Sequence, residues 1–394
     1  MIFSIMALAA VALDFWLHTA NGFTNDGGEH LARDFVNYWS GARIALEGHA
    51  ARAYDIDGFL QYQRSLIGAG AEFKWYGYPP IAMLLAAPFG VLPFVPALAI
   101  WLLLGAGLCA LLLSRSLGWP MAAMAAVGAP AVFLNTISGQ NGQLTAALFA
   151  GALMVLGKRP VLAGILFGAL CYKPQLGLLI PVALAAAGQW RAFVAAALTA
   201  VLLVIASLAT FGVEPWLGFL HNAPVHRLLM ENGDTFWHRM PTVFAAGRLL
   251  GAPVAAAYAL QGVSALCAAL AVWTVWRADQ PMELKGAALL VGTFLASPYA
   301  WDYDMVVLVF AVAWLATEAV RTGFRPWERL AMAGVVALPV VIGPLANATR
   351  VQLGPVMLWA VMALIVARAQ SSISIRMPSY ATSTPGGTRA FSQP

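Results

Sequence analysis

Residues 94–113 read FVPALAIWLLLGAGLCALLL, a stretch without one charged side chain. A helix rises 1.5 Å per residue, so about 20 apolar residues carry it across roughly 30 Å of hydrocarbon. The pattern recurs along the chain. Asp, Glu, Lys and Arg are missing between Lys74 and Arg115, between Arg115 and Lys158, between Arg191 and Glu214, and between Arg248 and Arg277. Of 394 residues, 61% are hydrophobic and only 10% charged. A water-soluble domain carries about 25% charged residues, so this chain cannot coat a soluble globule of its size.

The residue alternation of an outer-membrane barrel is absent, which leaves helices as the spanning form. The expected fold class is an all-α integral membrane protein, a bundle of about 10–12 transmembrane helices with extracytoplasmic loop helices. The expected spans lie near residues 2–17, 94–113, 119–134, 144–156, 161–172, 176–187, 193–211, 254–276, 286–296, 305–316, 330–345 and 354–366. Several are short, so some pairs are candidates for re-entrant turns. The first begins without a Lys or Arg ahead of it, which favours a spanning helix over a cleaved signal peptide. Residues 1–368 form one transmembrane domain on this reading. Ser, Thr, Pro and Gly dominate 369–394, the composition of a disordered cytoplasmic tail.

Basic residues in short loops mark the cytoplasmic side. Arg115, then Lys158 and Arg159, Arg191, Arg277 and Lys285, and Arg321, Arg325 and Arg329 fall in alternate loops, while the intervening short loops hold only Lys173 and Arg350. Two long loops, about 18–78 and 213–248, therefore face outward and contain all six histidines. Of the 17 acidic residues, only Asp279, Glu283, Glu318 and Glu328 fall inside. Chemistry needs titratable groups, so the working face is expected on the extracytoplasmic side of the cytoplasmic (inner) membrane. The net charge of +5 is scattered, which fits membrane topology and no nucleic-acid partner. Cys109, Cys171 and Cys267 fit no metal spacing and read as buried small apolar residues.

Six polar groups stand out from this background. In the first outer loop, Asp34 precedes Phe35-Val36-Asn37-Tyr38-Trp39. At a helix start its carboxylate would cap free N–H groups, with Tyr38 one turn later on the same face and Phe35, Trp39 and Ile44 along the membrane interface. A capped interfacial helix without catalysis explains as much. Tyr54 follows in the same loop, which ends in Lys74-Trp75-Tyr76-Gly77-Tyr78-Pro79-Pro80, a group whose aromatics suit stacking on sugars or interfacial anchoring. Ser138-Gly139-Gln140-Asn141-Gly142-Gln143 is an uncharged polar knot between apolar blocks; it is either a tight turn or a set of partners for a hydroxyl-rich ligand. Lys173, before Pro174-Gln175, stands alone at a predicted outer helix end, able to neutralise a lipid phosphate or to snorkel to headgroups. Trp301-Asp302-Tyr303-Asp304 crowds two carboxylates into one turn, which would bind a metal, act as acid or base, or cap the next helix. The second long loop adds His221, His226 and His238 with Arg227 and Arg239. His226 and Arg227 have no zinc spacing with anything nearby; these residues either contact acceptor or phosphate or, the plainer account, are solvated loop.

In this order the segments resemble glycosyltransferase family 87, from roughly Arg33 to Asp304, through Asp34-Phe35-Val36-Asn37-Tyr38-Trp39, Gly48, Tyr54, Tyr78-Pro79-Pro80, Gly139-Gln140-Asn141, Lys173-Pro174-Gln175 and Ser297-Pro298-Tyr299-Ala300-Trp301. The resemblance implies a GT-C fold and transfer of a sugar, mannose in known members, from a polyprenyl-phosphate donor to a glycan or glycolipid hydroxyl, with inversion. It implies Asp34 as general base and Lys173 as the donor phosphate-binding residue. Tyr38, Trp39, Tyr54, Tyr78, Gln140, Asn141, Gln175, His238, Trp301, Asp302, Tyr303 and Asp304 are then candidates for substrate contact. No metal or other cofactor is implied. The chain departs from the related mannosyltransferases at Tyr303 and Asp304, near which they carry a histidine. A polytopic transporter or lipid flippase is the competing expectation, although no paired repeat is visible; a non-catalytic membrane scaffold is a third.

Overall fold

The computed structural model describes residues 2–20, 30–68 and 75–376. Its helices, in chain order, are α1 (Ile2–Ala20), α2 (Phe35–Leu46), α3 (Ile56–Ile67), α4 (Ile81–Gly90), α5 (Phe94–Leu117), α6 (Trp119–Gly128), α7 (Pro130–Ser138), α8 (Gly142–Val155) and α9 (Pro160–Ala169). There follow α10 (Ile180–Ala186), α11 (Trp190–Phe211), α12 (Glu214–Asn232), α13 (Val243–Leu249), α14 (Val254–Arg277), α15 (Met282–Ala296), α16 (Val306–Thr322), α17 (Glu328–Thr349) and α18 (Gly354–Arg376). No strand forms among the described residues, in keeping with the expected all-α class. A helix satisfies its own backbone, which the apolar blocks require in hydrocarbon.

Among the described residues, five helical segments are long and apolar enough to cross a membrane: α5, α11, α14, α17 and Asp302–Thr322, which contains α16. The pair α6 and α7 makes a sixth span if taken together, bent by 49°. The bend falls at Ala129-Pro130, where proline opens α7 and supplies no N–H to continue α6. Helix length alone thus does not reach the expected ten to twelve. The other blocks form shorter apolar helices, among them α4, which was not among the expected spans. At 14 residues α8 is only about 21 Å long. It is buried along most of that length, so protein rather than lipid surrounds it.

The main core packs α8, α15 and α16 at its centre, with Phe149, Phe294 and Phe310 each at most 1% exposed. Outside them, α11 presents Val194, Leu198, Val201, Leu202 and Ile205 as an exposed apolar face, suited to lipid. Its other side meets α9 through small residues. A Cβ at Gly164 would come within 2.4 Å of the Ala192 carbonyl oxygen, and one at Gly168 within 2.5 Å of that of Ala196. Close backbone approach of this kind is how transmembrane helices pair without a hydrophobic driving force.

Several local expectations change. Phe35, Trp39 and Ile44 do not lie along an interface; they are 0%, 4% and 0% exposed. Phe35 packs on Phe94 and Trp101, and the Trp39 indole donates to the Leu92 carbonyl at 2.9 Å. The start of α5 therefore covers the face of α2 that the sequence left for the membrane. His18 belongs to α1 rather than to the following loop. Of the cysteines only Cys109 is buried, while Cys267 is exposed on α14, where lipid takes the place of a protein core. The last helix runs to Arg376, beyond the expected start of the tail; residues 377–394 lie outside the described residues.

Polar groups segregate to the two ends of the bundle. The turn between α7 and α8, the break between α9 and α10, and the turn from α15 into α16 share one end with α2. The basic last turns of α5, α14 and α16, with Arg115, Arg277 and Arg321, lie at the other.

Candidate active site

Asp34 occupies the N-cap position of α2, yet its side chain makes no capping hydrogen bond. Its backbone N–H donates to the Ser138 carbonyl at 2.9 Å, which pins the start of α2 to the α7–α8 turn. From that turn Gln140 Nε2 donates to Asp34 Oδ2 at 2.8 Å. The carboxylate is half-buried, and its other oxygen has no partner among the described residues. The capping account therefore fails for this side chain: its acceptor capacity is directed out of the helix.

The polar knot is both of the things its composition allowed. It is a tight turn, with Gly139 at φ +65°. A Cβ there would sit 2.6 Å from that of Phe35, and one at Gly142 would meet the Tyr303 carbonyl oxygen at 2.5 Å. It is also a hydrogen-bonding hub. Gln140 Oε1 lies 2.9 Å from the Tyr38 hydroxyl, which accepts from Asn141 Nδ2 at 2.8 Å and also contacts the Tyr78 hydroxyl. Behind the turn, Asn135 Oδ1 accepts from the Gly142 N–H, and Gln143 bonds the Ala126 carbonyl. Asn141 Oδ1 is buried without a partner among the described residues. An unsatisfied buried acceptor costs about 1–3 kcal/mol, so it is a place where a ligand donor would be welcome.

Tyr38 and Tyr78 come together with their rings 4.7 Å apart. Burial first, and then the neighbouring phenols, push Tyr38 well above its usual pKa; burial does the same for Tyr78 against the opposing pull of its bond with Tyr38, so both stay protonated donors. Asp34 and Asp304 are among the charges that act on Tyr78. Tyr54 reaches the same region through its hydroxyl, which donates to the Tyr78 carbonyl at 2.8 Å.

Two ion pairs close the cluster. Lys173 Nζ donates to Asp304 Oδ1 at 2.6 Å, with the two side chains 3% and 2% exposed. Lys173 therefore does not snorkel; the α9–α10 break aims it inward. Arg239 grips Asp302 with two parallel bonds of 2.8 and 2.9 Å. Its guanidinium lies 5.5 Å from the Trp301 ring centroid and 5.9 Å from that of Tyr303, two rings stacked within 6° of parallel. Burial opposes the charge on Arg239, but the bonds to Asp302 and the nearby carboxylates, Asp34 included, hold its pKa above the usual value. The aspartates also do local work, since Asp302 accepts from the Tyr303 N–H and Asp304 from the Trp301 N–H. Neither is available to a metal unless it gives up its cation.

Of the remaining candidates, His238 sits beside Arg239, its pKa lowered by burial and then by that charge, with Asp302 opposing. Trp39 is committed to Leu92 and Phe94, away from the cluster. Gln175 is half-buried in the short Pro174–Leu176 turn and makes no hydrogen bond among the described residues. Arg239 is the residue that sequence reasoning undervalued: its partner is 63 positions away, and the only signal was a cation beside a histidine in an outer loop. A cavity of about 260 Å³ lies at the other end of the bundle, away from the carboxylates, phenols and cations gathered here.

The sequence model of glycosyltransferase family 87 matches residues 75–298, more than half of the chain. The chain belongs to glycosyltransferase family 87. It is therefore a membrane glycosyltransferase, working with a sugar donor, an acceptor and a lipid bilayer. No curated protein and no solved structure matches it. The stretch matched to family 87 holds Tyr78, Gln140, Asn141, Lys173, Gln175 and His238. Asp34 and residues 301–304 lie outside it and join the site through the contacts described above.

Proposed function

We propose that this cluster transfers a sugar, mannose in the first instance, from a polyprenyl-phosphate donor to a hydroxyl of a glycan or glycolipid. The positive-inside pattern supports the extracytoplasmic face of the cytoplasmic membrane as the side of reaction. One observation carries the reading: a helix-start carboxylate, Asp34, is left uncapped and is oriented by Gln140 within a ring of phenols and cations.

The acceptor hydroxyl must come within about 2.6–3.2 Å of Asp34, directly or through one water. Its oxygen attacks the anomeric carbon as the proton passes to the carboxylate. The bond from that carbon to the phosphate oxygen breaks, polyprenyl phosphate leaves, and the anomeric centre inverts. Charge growing on the leaving phosphate is stabilised by preorganised cations. Arg239 is the accessible one, its side chain 28% exposed; with Nε and Nη2 on Asp302, its Nη1 edge is the one left to meet a phosphate oxygen. Lys173, committed to Asp304, contributes from behind. The stacked Trp301 and Tyr303 and the amides of Gln140 and Asn141 suit a sugar ring and its hydroxyls.

Membranes carrying the wild type or Asp34→Asn are incubated with labelled polyprenyl-phosphate mannose and the label is followed into acceptor. Loss of the base predicts a fall of about 10²–10⁴-fold with unchanged expression and melting. Undiminished transfer by the variant would refute the assignment of Asp34. Transfer from a nucleotide sugar alone would refute the donor class.

A further inference from the structure

The other end of the bundle carries a polar site that sugar transfer does not use. Where α8, α10, α14 and α15 meet, a cavity of about 260 Å³ opens between Leu156, Gln189, Trp276, Arg277, Asp279 and Lys285. Trp276 is 1% exposed, and its indole donates to the Lys285 carbonyl at 2.7 Å, which fixes the rim on which Lys285 stands. Two cations against one carboxylate leave the lining positive.

The approach to the cavity is greasy. Leu266, Leu270 and Trp273 precede Arg277 on α14 at spacings that place all four on one helix face. They are 68%, 65% and 37% exposed, and Arg277 at the end of the stripe is exposed too. An acyl chain lying on this stripe would deliver its phosphate to Arg277 and Lys285. Basic pockets between helices at the cytoplasmic surface are where anionic headgroups bind. We propose that this cavity binds the phosphate of an anionic membrane phospholipid, with an acyl chain along Leu266, Leu270 and Trp273. Free phosphate shares the headgroup chemistry but has no use for the stripe. The proposal stands apart from the donor and acceptor chosen above, since no residue is common to the two sites.

The test is native mass spectrometry of the full-length protein in detergent, titrated with phosphatidylglycerol, with phosphatidylcholine of the same chains, and with inorganic phosphate. Phosphatidylglycerol should be retained roughly tenfold more tightly than phosphatidylcholine. Arg277→Gln with Lys285→Gln should weaken it roughly thirtyfold, at about 1 kcal/mol per cation. Charge-preserving Arg277→Lys should stay within about threefold of the wild type, which separates lost charge from lost fold. Trp273→Ala should weaken the lipid and leave inorganic phosphate unaffected. Equal retention of both lipids, no loss in the double variant, or equal loss in Arg277→Lys and Arg277→Gln would overturn the proposal. Displacement of the lipid by low-millimolar inorganic phosphate would mark a free-phosphate site and would equally overturn it.

Discussion

Gln140 Nε2 lies 2.8 Å from Asp34 Oδ2, a contact between residues 106 positions apart in sequence. The same amide offers its oxygen to Tyr38, so its orientation is set from both sides. Gln140→Leu removes both bonds at similar volume. A hydrogen bond to a charged group is worth about 1.5–3 kcal/mol, so kcat/KM should fall roughly ten- to hundredfold, less than for Asp34→Asn. Gln140→Glu places a second carboxylate beside the first. One of two such acids must ionise late, so the acid limb of the pH–rate profile should move to higher pH. A profile superimposable on the wild type would remove Gln140 from its orienting role.

Lys173 and Asp304 make the second prediction. Removing one partner of a buried pair strands a charge and costs about 3–5 kcal/mol, whereas replacing both by apolar side chains is often neutral. Lys173→Met and Asp304→Leu should each lower the melting temperature sharply, while the double variant recovers most of the loss. Activity should not recover with it if the Lys173 charge serves the leaving phosphate. A double variant as active as the wild type would reduce the pair to a structural lock.

The fold class was plain in the sequence because hydrocarbon imposes a length and a composition on every span. The blocks near 94–113, 193–211 and 254–276 became α5, α11 and α14 with small shifts of their ends. The inner helices were harder. α8, α9 and α10 are apolar on all sides, and composition cannot tell a short helix wrapped in protein from a lipid-facing span. Within the site, Asp34, Gln140, Lys173 and Asp304 stood out as polar residues in apolar surroundings. Their pairing could not be read, since Arg239–Asp302 and Lys173–Asp304 join elements 63 and 131 positions apart. Trp39 misled because an aromatic near a membrane surface suits an interface, a sugar or a core equally well, and only the position of Phe94 and Leu92 decides for the core.

His226 gives a pH prediction. It packs 5.4 Å from Trp75 and against Gly77, and burial holds its pKa below 6.5. The unfolded chain then binds the proton more readily than the folded one. Stability is full above about pH 6.5 and falls as the pH drops from there toward the folded pKa. His30 and His238 are shifted the same way and add to the slope. Melting temperatures recorded from pH 8 to pH 5 should decline more steeply for the wild type than for His226→Phe, which keeps a ring against Trp75. Parallel curves would show that His226 is not held neutral.

Gly139 tests whether the turn itself positions the base. Its φ of +65° is the left-handed region that side chains avoid, at about 1–2 kcal/mol for a residue with a Cβ. The added methyl would also meet the Cβ atoms of Phe35 and Ala32 at 2.6 and 2.8 Å, and overpacking adds about 1–3 kcal/mol. Gly139→Ala should therefore destabilise by roughly 2–5 kcal/mol and push the turn off the start of α2. Because Gln140 is the next residue, the displacement breaks its bond to Asp34. Transfer measured well below the melting temperature should drop as far as in Gln140→Leu. Gly107→Ala inside α5, where nothing lies within 4 Å of the new methyl and alanine is the better helix former by about 0.5–1 kcal/mol, should leave transfer unchanged and not lower the melting temperature. If Gly139→Ala lowered the melting temperature but left kcat/KM intact, the α7–α8 turn would support the fold without aiming the carboxylate.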